Sequence, residues 1–110
     1  MKITKDYLIR INQSYVYITN EPFGYNSNLD FIVTEYNDSK QQKNDIAKIV
    51  FRILITHPFV QGNKRTSFAI LDSFENIRNT GKVKTAILKI VNNPEMDQKE
   101  GIKLILESLR

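Results

Sequence analysis

The chain has 110 residues, of which 41% are hydrophobic and 25% charged, which suits one domain with one modest core and excludes a disordered chain. It carries no cysteine and a single histidine, which excludes a disulfide framework, a thiolate metal site and a structural zinc centre. The net charge of +4 suits an acidic partner, a nucleotide or a nucleic acid without selecting any of them, and no apolar run reaches the length of a membrane span.

The hydrophobic pattern is helical nearly throughout. Thr4 is placed to cap a first helix with Tyr7, Leu8, Ile11, Tyr15 and Ile18 on its inner face. TNEPFGYNSN, residues 19–28, interrupts it with Pro22 and Gly24. A short second helix fits LDFIVTEY, with Leu29, Ile32, Val33 and Tyr36 inward, and Asn37, Asp38 and Ser39 form a turn and cap. The third helix has the clearest spacing: Ile46, Ile49, Val50, Ile53 and Leu54. Pro58 stops it, because the residue before a proline is pushed away from helical angles. His57 therefore lies at a helix end, where its side chain can face a cleft.

A fourth helix is predicted from Asn63 or Lys64, with Ser67, Ile70, Leu71, Phe74 and Ile77 inside and Gly81 as a left-handed terminator. KTAILKIVN, residues 84–92, reads as a fifth helix, with a strand as the alternative, closed by Pro94. Asp97 and Glu100 have capping-box spacing for a last helix that buries Ile102, Ile105, Leu106 and Leu109. The expected architecture is all-α: one domain over residues 1–110, a bundle of about six helices with short connections.

Chemistry concentrates in HPFVQGNKRTS, residues 57–67. A helix beginning at Asn63 presents unpaired N–H groups and the positive end of its dipole, a setting that favours phosphate. Gly62 permits close backbone approach and left-handed angles. Asn63 offers an amide, Lys64 a point charge, Arg65 a planar fork matched to phosphate oxygens, and Thr66 and Ser67 hydroxyls. His57 can accept a proton near neutrality and so activate a hydroxyl to attack phosphorus. Phe59 is a core anchor for the loop. Each of these residues alone has an ordinary explanation: a helix-end imidazole bonded to a carbonyl, solvated cations, a plain turn. Their order between two well-formed helices carries the signal, which reads as phosphoryl or nucleotidyl transfer to a hydroxyl.

His57-x-Phe59-x-Gln61-Gly62-Asn63-Lys64-Arg65-Thr66 resembles the signature loop of Fic/Doc proteins, His-x-Phe-x-Asp/Glu-Gly/Ala-Asn-Gly/Lys-Arg. The resemblance is closest to the Doc branch, the toxins of toxin–antitoxin pairs, in which Lys followed by Arg-Thr occupies the places of Lys64, Arg65 and Thr66. Chain length, the helix ending at His57, ENIRNTGK as the end of the next helix, and the C-terminal amphipathic helix also look like Doc. The resemblance implies a Fic/Doc-like helical bundle with His57 as the base. Gly62, Asn63, Lys64, Arg65 and Thr66 would bind the phosphates of ATP, and residue 61 would sit at a Mg²⁺ ion. Phe23, Gly24 and Tyr25 fall where the family has a target-docking flap.

Two departures bear on the reaction. The AMP-transferring branch has a second Arg three residues after the first, where Phe68 stands here, and a Gly where Lys64 stands. Both favour Doc-like transfer of the γ-phosphoryl group to a Ser/Thr hydroxyl of a target protein, a class that includes translation factors. Gln61 replaces the acidic metal ligand with a neutral amide. Asp72 and Glu75 lie further along the fourth helix, too remote to substitute. AMP transfer and a catalytically impaired nucleotide- or protein-binding relative are the alternatives. No Ser/Thr-x-x-x-Glu-Gly/Asn inhibitory pattern is found, so an antitoxin partner in trans is expected. The cytoplasm is the expected compartment, because the N-terminus lacks the apolar core of a secretory signal. Neither membrane nor direct nucleic-acid binding is expected, since the basic residues form no single stripe.

Overall fold

The computed structural model describes residues 2–110. Six helices follow one another: α1 (Lys5–Ile18), α2 (Asn28–Asn37), α3 (Lys43–Thr56), α4 (Asn63–Phe74), α5 (Thr80–Val91) and α6 (Gln98–Ser108). The fold is all-α, as the periodicity predicts. Helix α3 is the axle of the bundle: α2, α4, α5 and α6 all pack against it, and α1 covers α4 and α2. Its sequence explains that place. Ile46, Ile49, Val50, Ile53 and Leu54 form one apolar stripe, and Ala47 and Phe51 widen it, so most of the circumference is buried. Each large aliphatic side chain buried there contributes roughly 1.5–3 kcal/mol relative to exposure.

Helix α6 comes close to α3 at a glycine. Gly101 is buried, and a Cβ at that position would collide with the Phe51 ring. Gly101→Val is expected to cost about 1–3 kcal/mol through overpacking. Thermal unfolding followed by circular dichroism should show a Tm lower by roughly 5–15 °C.

Helix α1 is capped as expected, with Thr4 Oγ1 accepting from the Tyr7 N–H at 3.0 Å. Its inner stripe differs from the expected one. Leu8, Asn12 and Val16 are the buried residues, Tyr7, Ile11 and Tyr15 are half-buried, and Ile18 is exposed. The seam runs at i, i+4, i+8, and it includes a polar residue because the Asn12 amide finds acceptors below α1.

The second half departs from expectation at the helix ends. Helix α4 stops at Phe74, and Glu75 is already extended, with φ −130° and ψ 153°. Gly81 does not terminate it. Residues 75–79 form a connection, Asn79 caps α5 by accepting from the Lys82 N–H at 3.1 Å, and Gly81 lies inside the first turn of α5. Residues 84–92 are helical rather than extended, and the helix starts earlier, at Thr80. Asp97 holds the N-cap position of α6 but its side chain makes no cap hydrogen bond, so the expected box with Glu100 is not formed.

The segment 19–28 is not an independent loop. Tyr25 and Phe59 form an antiparallel bridge, with the Asn26 N–H donating to the Pro58 carbonyl and the Val60 N–H to the Gly24 carbonyl, each at 2.9 Å. This pairing fastens the segment to the loop between α3 and α4.

Candidate functional site

His57 closes α3 in the left-handed region, at φ 48° and ψ 63°. That conformation costs a non-glycine residue of order 1–3 kcal/mol and persists only where surroundings hold it. Here two asparagines hold it. Asn28 Nδ2 donates to the Thr56 carbonyl and Asn26 Nδ2 to the His57 carbonyl, both at 3.2 Å. The backbone is pinned, the residue is exposed, and among the described residues no hydrogen bond engages the ring. The ordinary alternative, an imidazole tied to a carbonyl, is not what the structure shows.

Beyond His57 the loop folds back on itself. Phe59 is buried at 2% exposure and anchors it. Asn63 braces it: Oδ1 accepts from the Phe59 N–H at 3.1 Å and Nδ2 donates to the Phe59 carbonyl at 2.8 Å. The expectation that Asn63 offers its amide to a ligand is therefore revised. The amide shapes the loop first, and one Nδ2 hydrogen remains.

Gly62 lies at φ 80° and leads into α4. No side chain caps this terminus. The first helical N–H with an acceptor is that of Thr66, on the Gly62 carbonyl at 2.9 Å. Among the described residues the N–H groups of Gly62, Asn63, Lys64 and Arg65 donate to no protein acceptor. Unpaired donors at the positive end of a helix favour an anion.

Lys64 and Arg65 are exposed at the first turn, as their proposed roles require. Thr66 and Ser67 are not: both are fully buried, and Thr66 Oγ1 accepts from Asn12 Nδ2 at 3.1 Å. The expectation that Thr66 binds the cofactor directly is corrected, because one residue's turn along the helix carries it under the loop. Lys64 and Arg65 also border a hollow of about 340 Å³ whose floor includes Phe68, Ile87 and Leu88. Phe68, at the place of the second Arg of the AMP-transferring pattern, thus supplies apolar surface, with Lys84 Nζ 5.8 Å from its ring centroid.

Phe23, Gly24 and Tyr25, the expected docking residues, stand beside the loop, joined to it by the Tyr25–Phe59 bridge. Phe23 and Tyr25 are exposed, with ring centroids 6.0 Å apart, and Val60 is exposed across the bridge. Gly24 lies close under Val60: a Cβ would lie 2.8 Å from Val60 Cγ2, so a larger residue would push that exposed side chain aside.

Gln61 is exposed, and its backbone carbonyl accepts from Asn12 Nδ2 at 2.7 Å. No group of three or more His, Asp or Glu able to hold a metal occurs among the described residues. Glu75 faces Lys43 at 3.8 Å, a different part of the molecule's charge pattern, so it does not stand in for the missing carboxylate.

Two residues of this site escape the motif. Asn12 breaks the apolar stripe of α1 between Leu8 and Val16, and that interruption is its sequence signal. Glu21, in the segment after α1, pairs with Arg65 at 3.2 Å. The neighbouring Thr19 and then the Arg65 charge hold its carboxyl below the usual range. Nothing local in the sequence marks Glu21.

A family model described as Fic/DOC family matches residues 2–74. The chain belongs to the Fic/DOC family. The match runs from the start of the described chain to the end of α4 and contains every residue of the loop and flap. Helices α5 and α6 complete this Fic/DOC bundle from outside the matched span. No curated protein and no solved structure matches the chain. Membership points to transferase-type chemistry. No helix among the described residues is long and apolar enough to cross a membrane.

Proposed function

We propose that this Fic/DOC protein transfers the γ-phosphoryl group of ATP to a Ser/Thr hydroxyl of a target protein. One observation carries the reading. Four consecutive unpaired N–H groups, at Gly62 to Arg65, share a loop with two exposed cations and the chain's only imidazole, which is exposed. His57 removes the hydroxyl proton, the hydroxyl oxygen forms the new bond to the γ-phosphorus, and the bond to the β-phosphate oxygen breaks to release ADP. The loop N–H groups, Lys64 and Arg65 neutralise the phosphate oxygens as charge redistributes. Lys64 in place of a small residue and Phe68 in place of a second Arg favour transfer of the terminal group. The exposed aromatics Phe23 and Tyr25 dock the target, a protein of the translation-factor class by family resemblance. An antitoxin in trans supplies restraint, and the cytoplasm is the setting.

The residues present do not form a Mg²⁺ site. Gln61 offers one neutral amide oxygen where a hard cation takes carboxylates, and no acidic cluster lies beside it among the described residues. No step is therefore assigned to a protein-held metal, and Mg²⁺ arrives with the nucleotide. Gln61→Asp is expected to tighten Mg²⁺ dependence, lowering the Mg²⁺ concentration for half-maximal turnover; an unchanged titration places residue 61 away from the metal.

Incubation of cell extract with labelled ATP tests the reaction. Protein labelling from the γ-phosphate but not from the α-phosphate supports phosphoryl transfer. The reverse supports AMP transfer. Absence of both with retained ATP binding supports the second reading, a binding-only relative, which the neutral Gln61 favours.

Glu21 competes with the phosphates for Arg65. Glu21→Gln is expected to tighten ATP binding about two- to fivefold, the scale of an exposed ion pair. Titration calorimetry reads it, and unchanged affinity shows that the pair does not obstruct the site.

A further inference from the structure

Asn12 is completely buried on α1, at a register where its neighbours Leu8 and Val16 are apolar. Its Nδ2 donates to the Gln61 carbonyl at 2.7 Å and to Thr66 Oγ1 at 3.1 Å. Both amide hydrogens are used, and Oδ1 has no partner. Exchanging the amide nitrogen and oxygen would set two acceptor-only oxygens against each other at the Gln61 carbonyl, so the orientation is determined. A leucine would fill this space without a stranded oxygen. The polar residue is accounted for by what it holds.

What it holds is one peptide plane. In a trans peptide the C=O and the following N–H point in opposite directions, and the chain has no cis peptide bond among its described residues. The Gln61 carbonyl points down to Asn12, so the Gly62 N–H points away from α1. Gly62 rests directly on the same amide: a Cβ there would lie 2.9 Å from Asn12 Nδ2. The Gly62 N–H has no protein acceptor and directly precedes in sequence the free N–H groups of α4. Successive N–H groups oriented in this way form an anion-binding concavity.

We infer that Asn12 is a positioning residue: it orients the Gln61–Gly62 peptide so that the Gly62 N–H joins the anion-binding donors at the start of α4. The inference rests on the phosphate-binding reading of the loop. It assigns to α1, outside the signature, control of one donor within it. Asn12→Leu keeps the volume and the helix while releasing the peptide. Asn12→Leu/Thr66→Val also removes the hydroxyl that the first change leaves without its donor.

The test uses the full ¹⁵N-labelled chain titrated with tripolyphosphate and with ATP, following the Gly62 amide. In the unaltered protein the Gly62 resonance is expected to shift on binding. Asn12→Leu is expected to bind about tenfold more weakly, the scale of one hydrogen bond to a charged group, with little Gly62 shift. The double variant is expected to regain thermal stability but not affinity, which a merely structural role for Asn12 does not predict. Unaltered affinity and an unaltered Gly62 shift in either folded variant overturn the inference. If the unaltered protein binds neither ligand, the phosphate reading fails, and the ligand-free Gly62 amide decides the rest. A changed solvent-exchange rate in the variants supports the orienting role, and an identical rate overturns it.

Discussion

His57→Ala is expected to lower phosphoryl transfer by about 10²–10⁴-fold, the usual contribution of a general base, while leaving the fold intact. The separation of the two effects follows from where the residue's interactions lie. Asn26 and Asn28 bond to backbone carbonyls at the end of α3, and the exposed imidazole contributes nothing to the core. Alanine keeps those carbonyls and loses only the ring. Its backbone has the same left-handed angles to adopt as histidine, so the strain changes little. The measurement is the rate of γ-phosphate transfer alongside the thermal midpoint. ATP affinity is expected to remain close to that of the unaltered chain, because the proposed phosphate donors are the N–H groups of Gly62 to Arg65 and the Lys64 and Arg65 side chains, not the ring. A variant that retains transfer, or a cellular phenotype that survives the substitution, removes His57 from the chemistry and leaves the binding-only reading.

The contrast between His57 and Thr66 shows which parts of the site a sequence can reveal. Pro58 announces a helix end on steric grounds, so the place of His57 at the end of α3 is legible. Its exposure is not, because residue 57 lies four after Ile53 on the buried stripe, and the left-handed angles found there arise only in the fold. Thr66 sits three residues after Asn63, and its direction depends on where α4 begins and on what lies beneath. That is a tertiary fact: the Asn12 amide, 54 positions away in the chain, donates to its hydroxyl oxygen. Asn63 is similar. Its amide was visible as a donor, but its bonds to Phe59 require the loop to close on itself. Gly81 departs from the expected terminator role for a different reason. Glycine ends helices by adopting left-handed angles, yet the preceding Asn79 supplies a strong start signal, and the helix that starts wins over the one that was expected to stop. Glu21 has no local signature at all, since only folding sets it against Arg65.

Arg65→Ala is expected to reduce turnover by about 10²–10³-fold, the scale of losing one preorganised donor to developing charge. Arg65 combines three properties at one place: a fixed fork, a positive charge, and a position in the first turn of a helix whose N–H groups are unpaired. Arg65→Lys keeps the charge without the fork, so an intermediate rate is expected. Glu21 makes the residue's role separable from general electrostatics. In the resting chain Arg65 already holds a carboxylate at 3.2 Å, and a phosphate must displace it. Removing Glu21 therefore aids ATP binding only while Arg65 is present. In the double variant Glu21→Gln/Arg65→Ala the benefit of Glu21→Gln is expected to vanish, because there is no longer a cation to release. A double-mutant cycle on ATP affinity reads this coupling directly. Additive effects in that cycle, or transfer unaffected by Arg65→Ala, show that the guanidinium serves the surface and not the phosphate.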